Sequence, residues 1–551
     1  MKNTFQPEQP ITSPIETVLV GPDAESVTIG FRLPGNKSKD VLLADLVGQI
    51  LTNGKAGLMD LNLVKKQKLL GASAFAFTLI DYGVLFMQGR PTLGQSLEDV
   101  KTLMLGEIEN LKKGNFDDAL ITAIVNNQKK NVIQATEKYS SRASDLMNAF
   151  TNELDWQTQV AYTDQLSKLT KADIVAFANK YFGDNYVVIL KRKGEDKNIV
   201  KVDKPPITPV ETNRDAQSAF VKQINNMPAT PVKPVWLDYK KDLQKSTIGP
   251  AEVLYVQNKD NSLFRLRYRF DIGTWNNKKL SLAAQYLQFL GTNKMNAEEI
   301  TKAFYKIACS FNISAGSEFT TVTIEGLQEN FSPAVKLFED VLKNCKADDA
   351  ALQSLKLRLK KSRTDAKANK GAIMSGLMNY ARFGKVNPFN TTLSNTEIDD
   401  ISSSELVNTL HGLNSYSHKI LYYGPQPLAQ LTTSLKTMHS IPAVFKAAPQ
   451  KIKFTPTVQN KNQVLFAYNM VQSEIRWIRN SAAYNPALEP VVDVFNNYFG
   501  GGMGALVFQT IRESKALAYS TFAFFAKPDK KEDPFFTIAY VGCQADKFNE
   551  S

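Results

Sequence analysis

The chain repeats itself, and this restricts its possible folds more than any single motif does. Three strand-like stretches, residues 26–33, 263–270 and 464–468, each lead into a helix-like stretch, residues 41–47, 280–287 and 488–495. Alternation, or enrichment in β-branched and aromatic residues, marks the first set as strands. Pro490 falls in the first turn of its helix, where a missing N–H is tolerated. The first two copies also end alike, without a gap, 232 residues apart. Thr170 with Asp173, and Ser402 with Glu405, each form the pattern of a capping box at the start of an apolar helix. Strand-like residues 186–190 and 418–422 follow. Between these ends, Leu97, Val100, Met104, Ile108 and Leu111 share one helix face, and Ala334, Phe338, Val341 and Cys345 share another. Strands interleaved with segregated helices, with no Gly-rich nucleotide loop, predict an α+β fold. Its modules would each have a mainly antiparallel sheet packed against helices.

At 551 residues the chain is too long for one core, and about 150 residues per domain predicts three or four. The repeats place domains at residues 14–195, 250–445 and 453–551. The third copy shows only its front half: the chain ends shortly after strand-like residues 535–541, so the C-terminus is expected to lie inside a domain. Residues 196–249 change character. Pro-rich stretches at 204–209 and 228–234 favour extended, semi-rigid backbone, with a short helix between them near residues 215–225, and the whole reads as a linker.

Composition excludes several classes. The formal charge is +12, but the lysines are scattered, with small clusters such as Lys65-Lys66, Lys240-Lys241, Lys360-Lys361 and Lys530-Lys531. This reads as a solvated surface; with no aromatic-interleaved basic motif, no specific nucleic-acid partner is expected. Cys309, Cys345 and Cys543 form no C-x-x-C pair, which argues against a zinc knuckle or a disulfide framework. No apolar stretch approaches the ~18–20 residues of a membrane span. The polar, Pro-broken residues after Met1-Lys2-Asn3 do not continue as a signal peptide.

The most specific chemistry lies near the end of the chain. Gly500-Gly501-Gly502-Met503-Gly504 precedes Arg512, and Tyr519 follows seven residues later. The glycines lack the G-K-[ST] of a phosphate loop, so a flexible turn beside a cleft is the better reading. An Arg and a Tyr at this spacing behind a Gly-rich turn, in a chain of repeated modules, resemble the substrate clamp of the pitrilysin/insulinase family of zinc metallopeptidases. The texture of the chain resembles the large bacterial members.

That resemblance covers essentially the whole chain. Full-length members have four homologous domains in two halves joined by a linker. On this reading, residues 14–195 are the second, inactive module, 196–249 the inter-half linker, and 250–445 the third module with a degenerate zinc helix. Residues 453–551 are the N-terminal part of the fourth module, carrying the clamp. The resemblance implies that Arg512 orients substrate backbone carbonyls and that Tyr519 stabilises the oxyanion of the tetrahedral intermediate. Zinc and its general base would belong to a first domain outside these residues, because the family's H-x-x-E-H motif occurs nowhere in the chain. The zinc is therefore expected in the full-length protein or a partner, with none bound by this chain. The implied partners are peptide substrates and the zinc-bearing domain or subunit, and the implied location is the bacterial periplasm or cell envelope.

Internal copies of the two active elements are worn. Where the family's zinc helix reads H-x-x-E-H, this chain has Leu282, Gln285 and Tyr286, followed by Phe289, Gly291 and Thr292. Leu cannot ligate zinc and Gln cannot take a proton from water, so this helix is expected to be structural. Setting Gly54 against Gly502 places Val64 opposite Arg512 and Gly71 opposite Tyr519. His411 and His418 fall opposite Asn179 and Tyr186 of the earlier copy; with His439 they are expected at surface or capping positions. The leading function is a portion of a zinc metalloendopeptidase that works in a closed chamber, this portion supplying clamp and chamber wall. The alternative is a non-catalytic family homologue, a binding or structural subunit of an active partner; this chain alone is expected to be inactive.

Overall fold

A computed structural model describes residues 8–196, 216–457 and 472–551. The third strand-like stretch, residues 464–468, and the Pro-rich residues 204–209 lie outside the described residues.

The N-terminal unit contains strands β1 (Ile15–Gly21), β2 (Ser26–Pro34), β3 (Gly71–Thr78), β4 (Tyr82–Arg90) and β5 (Tyr186–Lys193) in the order β1-β5-β2-β4-β3. β1 and β5 are parallel and every other neighbouring pair is antiparallel. Helices α1 (Val41–Leu51), α2 (Leu97–Lys112), α3 (Ala119–Thr136) and α4 (Lys171–Tyr181) complete its core. The α2 stripe is buried as its spacing predicts: Leu97, Val100, Met104, Ile108 and Leu111 all point inward. Thr170 and Asp173 form both halves of the capping box that starts α4.

A short helix α5 (Ala219–Asn225) stands between this unit and the next. The central unit has strands β6 (Gln244–Ile248), β7 (Ala251–Gln257), β8 (Leu263–Phe270), β9 (Ser310–Ala315), β10 (Thr320–Leu327) and β11 (His418–Gly424), ordered β6-β7-β11-β8-β10-β9. Removing β6 leaves the N-terminal topology, including the one parallel pair, β7 with β11. Its longer helices are α6 (Lys279–Leu287), α7 (Ala297–Lys306), α8 (Phe331–Asn344), α9 (Asp349–Ala366), α10 (Lys370–Phe383), α11 (Ser403–His411) and α12 (Leu428–Met438). Ser402 caps α11, but Glu405 turns away from the reciprocal half of the box and pairs with Lys279 of α6.

The C-terminal unit begins with strand β12 (Gln472–Ala483) and helix α13 (Glu489–Phe499), and ends with strands β13 (Ala518–Ala526) and β14 (Pro534–Gln544), ordered β12-β14-β13. It is tied to the central unit by ion pairs Lys370–Glu474 at 2.7 Å and Lys530–Glu318 at 2.6 Å. The Arg382 guanidinium also lies 3.9 Å from the ring centroid of Phe536.

The repeat is visible residue by residue. Shifting α1 by 448 positions gives the bounds of α13. The same shift carries Asp60–Lys65, one turn of π-helix, onto the first six residues of another, Phe508–Ser514. A π turn holds one more residue than an α turn, so it re-aims the side chains that follow it and is frequent at functional sites.

Candidate functional site

Arg512 sits on the second of these π turns and Tyr519 in the strand that follows. The turn is held from below by Ile511, which packs against buried Ala518, Val541 and Cys543. The Leu517 N–H donates to the Ile511 carbonyl at 3.1 Å, closing the loop between the two residues. Within that loop Ala516 adopts φ of 47°, and Lys547 Nζ donates to its carbonyl at 3.0 Å.

Tyr519 occupies a β-bulge. Ala518 pairs with Cys543 and Ser520 with Gly542, so Tyr519 has no partner in the ladder. A bulge turns its extra residue out of the pleat, and Tyr519 is 84% exposed. The Arg512 guanidinium lies 4.7 Å from the ring centroid of Phe508 and 5.7 Å from that of Tyr519. Its Nε is 3.8 Å from Glu513. Both side chains open onto a cleft of about 430 Å³, also lined by Gln472, Glu513, Cys543 and Lys547. An N–H-donating guanidinium fork and a phenol hydroxyl thus share one open hollow.

The Gly-rich turn ahead of them has a steric reason. A Cβ on Gly500 would lie 2.0 Å from the Ala523 carbonyl oxygen, so only glycine lets α13 end against β13.

The matching place in the N-terminal unit is built differently. A Cβ at Gly71, opposite Tyr519, would lie 2.9 Å from the Arg90 guanidinium. The π turn carrying Val64 is covered by the central unit: Lys65 Nζ donates to Thr301 Oγ1 of α7 at 2.9 Å, and Gln67 donates to the Ala351 carbonyl of α9 at 3.0 Å. Tyr305 of α7 belongs to the N-terminal core. Burial lowers the Lys65 amine to about 8.

In α6, Leu282 and Tyr286 are buried in the central core. The Tyr286 hydroxyl donates to the Asp348 carbonyl at 2.6 Å and accepts from the Asp348 N–H at 2.7 Å. Gln285 is exposed and donates back to Ser281. These residues do not fit a zinc ion: one is hydrocarbon, and the other has its oxygen committed to backbone. Among the described residues no group of three or more His, Cys, Asp or Glu could hold a metal. The three cysteines are buried and free.

Of the histidines expected at surface or capping positions, His439 is the C-cap of α12, though buried, while His418, in a strand, corrects the expectation. His418 and His439 are both buried, because β11 aims His418 inward beside Phe270 and the end of α12 brings His439 against it. His439 stacks on Tyr268 with 4.0 Å between centroids and meets Glu339 at 2.8 Å. His411 does cap: its Nε2 donates to the Cys345 carbonyl at the end of α8, as Asn179 does to Lys112 at the end of α2.

Comparison with known proteins identifies the family. The family model described as Peptidase M16 inactive domain matches residues 2–128 and 419–551, and the one described as Insulinase (Peptidase family M16) matches residues 274–396. The chain belongs to the pitrilysin/insulinase family of metallopeptidases. It is 29% identical over 166 residues to the zinc protease PqqE of Helicobacter pylori (strain ATCC 700392 / 26695), an alignment covering 30% of this chain and 37% of that protein. Among solved structures, the ferredoxin protease FusC, a mutant in complex with Arabidopsis ferredoxin, aligns with all of this chain and 64% of its own, with TM-score 0.54 and 13% identity. The periplasmic protease PqqL from Escherichia coli aligns over the same shares with TM-score 0.49 and 12% identity. The chain thus spans less than two thirds of the length of each of these relatives. The likeness to FusC supports the fold.

Proposed function

We propose that this chain supplies the substrate clamp and part of the chamber wall of a zinc metalloendopeptidase whose zinc and general base lie in a module outside these residues. The observation that carries the reading is internal. The N-terminal π turn is packed against α7 and α9 of the central unit, the unit that contains the worn zinc helix α6. The C-terminal unit has the same π turn, now carrying Arg512, with Tyr519 beside it, and it faces an open cleft. The repeat therefore supports a matching partner for it: a module in which the helix equivalent to α6 keeps its zinc ligands.

In this arrangement Arg512 holds the carbonyls of an extended peptide, which requires donors but no reading of side chains. Tyr519, lifted by its bulge, donates its phenol proton in a hydrogen bond to the carbonyl oxygen as that oxygen becomes negative. Approach of the two halves excludes water from the cleft. The envelope location implied by the family resemblance belongs to the same reading.

Peptide hydrolysis by the purified chain alone, and by the chain mixed with a zinc-bearing module of the same family, tests this. Turnover only in the mixture is expected. Zinc-dependent turnover by the chain alone would refute it.

A further inference from the structure

The stretch between Arg512 and Tyr519 sets where the two side chains stand relative to one another. It is closed from within by the Leu517 N–H, which donates to the Ile511 carbonyl at 3.1 Å. The N-terminal unit closes its copy in the same way: 448 positions earlier, Leu69 donates to the Leu63 carbonyl at 3.1 Å. What differs is the support from outside. The N-terminal loop leans on the central unit, through Lys65 on Thr301 and Gln67 on the Ala351 carbonyl. The same shift turns Lys65 and Gln67 into Glu513 and Lys515, both exposed.

The C-terminal loop is held from its own unit instead. Lys547 ends one turn of 3₁₀-helix, Ala545–Lys547, that follows β14, and its half-buried side chain lines the same cleft as Arg512 and Tyr519. Its Nζ donates to the carbonyl of Ala516, the residue at φ of 47°. An alanine in the left-handed region is held there against its own preference, so its neighbours decide whether it stays. One peptide plane contains both the Ala516 carbonyl and the Leu517 N–H. Lys547 binds the first and Ile511 the second, so this plane is pinned at both ends. Ile511 precedes Arg512 and Ala518 precedes Tyr519, and these two apolar residues pack together. The pinned plane therefore joins the π turn to the bulge.

We propose that Lys547 is a positioning residue: by holding the Ala516 carbonyl it fixes the angle at which the π turn presents Arg512 to the bulge that presents Tyr519. The inference rests on the reading of that pair as a substrate clamp. Lys547 acts through the loop and touches no reacting atom. Its ammonium makes a charge-assisted hydrogen bond, stronger than one from a neutral donor, so a cation of similar length can replace it and a thioether cannot. The cost of losing it falls on the placement of the phenol hydroxyl, and rates are steep in such placement.

The test compares Lys547→Met, which removes the donor, with Lys547→Arg, which keeps a cationic one. In the chain alone, amide hydrogen exchange at Leu517 should be about tenfold faster in Lys547→Met and within about twofold of the parent in Lys547→Arg. Unchanged exchange in Lys547→Met overturns the proposal. Should that variant fail to fold, Lys547→Gln, shorter and uncharged, carries the same comparison. In a complete, zinc-bearing peptidase containing this chain, kcat should fall about tenfold in Lys547→Met and recover in Lys547→Arg. Placed on Tyr519→Phe, Lys547→Met should lower kcat less than about twofold more, since no hydroxyl is left to misplace. A full further fall there would show that Lys547 acts elsewhere, and would overturn the proposal. A silent Tyr519→Phe removes the clamp reading and this inference with it. A slowed Tyr519→Phe beside a silent Lys547→Met removes this inference alone.

Discussion

His418 and His439 meet nitrogen to nitrogen inside the central unit, with 3.0 Å between their Nε2 atoms. The Tyr416 carbonyl, 2.8 Å from His418 Nδ1, can only accept, so that nitrogen carries its proton. His418 Nε2 faces His439, whose Nδ1 lies 2.8 Å from Glu339. Burial lowers His418 to about 4. The unfolded chain therefore binds a proton here between pH 6.5 and 4 that the folded chain does not. Stability is full above this window and falls with pH through it, by on the order of 3 kcal/mol in total. Urea unfolding at pH 7.5, 5.5 and 4.5 should show this loss, and His418→Gln should flatten it. An unchanged pH slope in that variant would remove His418 as the cause.

Two glycines of one turn give opposite expectations. Gly500→Ala drives a Cβ into the Ala523 backbone, whereas a Cβ at Gly502 meets nothing within 4 Å. Overpacking of this kind costs about 1–3 kcal/mol, while an open surface position changes stability by less than ~0.5 kcal/mol. The small C-terminal core has little to offset the first change. Urea midpoints of the two variants should differ accordingly; equal midpoints would mean that α13 does not end against β13 as described.

The sequence showed what obeys a period. The strand at residues 263–270 has the bounds read from its pattern, and the α2 stripe is buried at each position named. The short helix between the Pro-rich stretches forms at Ala219–Asn225. The π turns were not legible, because one added residue per turn leaves no mark in an apolar pattern this short. Nor was the bulge at Tyr519, which is set by pairing with β14 rather than by its own neighbours. β6 falls at the end of the residues read as linker; its sequence, Gln244 to Ile248, is mostly polar because one side of this edge strand faces water. Equivalence with Tyr186 did not reveal the burial of His418, since a partner on a different helix, His439, completes its hydrogen bonding.

Tyr286 takes the place of a zinc ligand and has acquired a structural task. Tyr286→Phe leaves the Asp348 N–H and carbonyl without the hydroxyl that serves both, at the start of α9. The expected cost is about 1–3 kcal/mol. Introducing histidines by Leu282→His with Tyr286→His should lower the melting temperature further, since both positions are core. Added zinc should not restore it. A zinc-dependent rise in melting temperature would show that α6 can still present ligands.

In a complete, zinc-bearing peptidase containing this chain, Tyr519 and Arg512 should separate kinetically. Tyr519→Phe keeps the ring that lies 5.7 Å from the Arg512 guanidinium and removes only the hydroxyl. Its donor acts on charge that develops in the transition state, so kcat should fall about 10²–10³-fold with KM nearly unchanged. Arg512→Gln removes the peptide-holding fork, which acts in both ground and transition states, so KM should rise as well. Paired kcat and KM measurements on one peptide decide the matter. Variants within twofold of the parent in both constants would leave the pair as surface residues of a folded but passive unit.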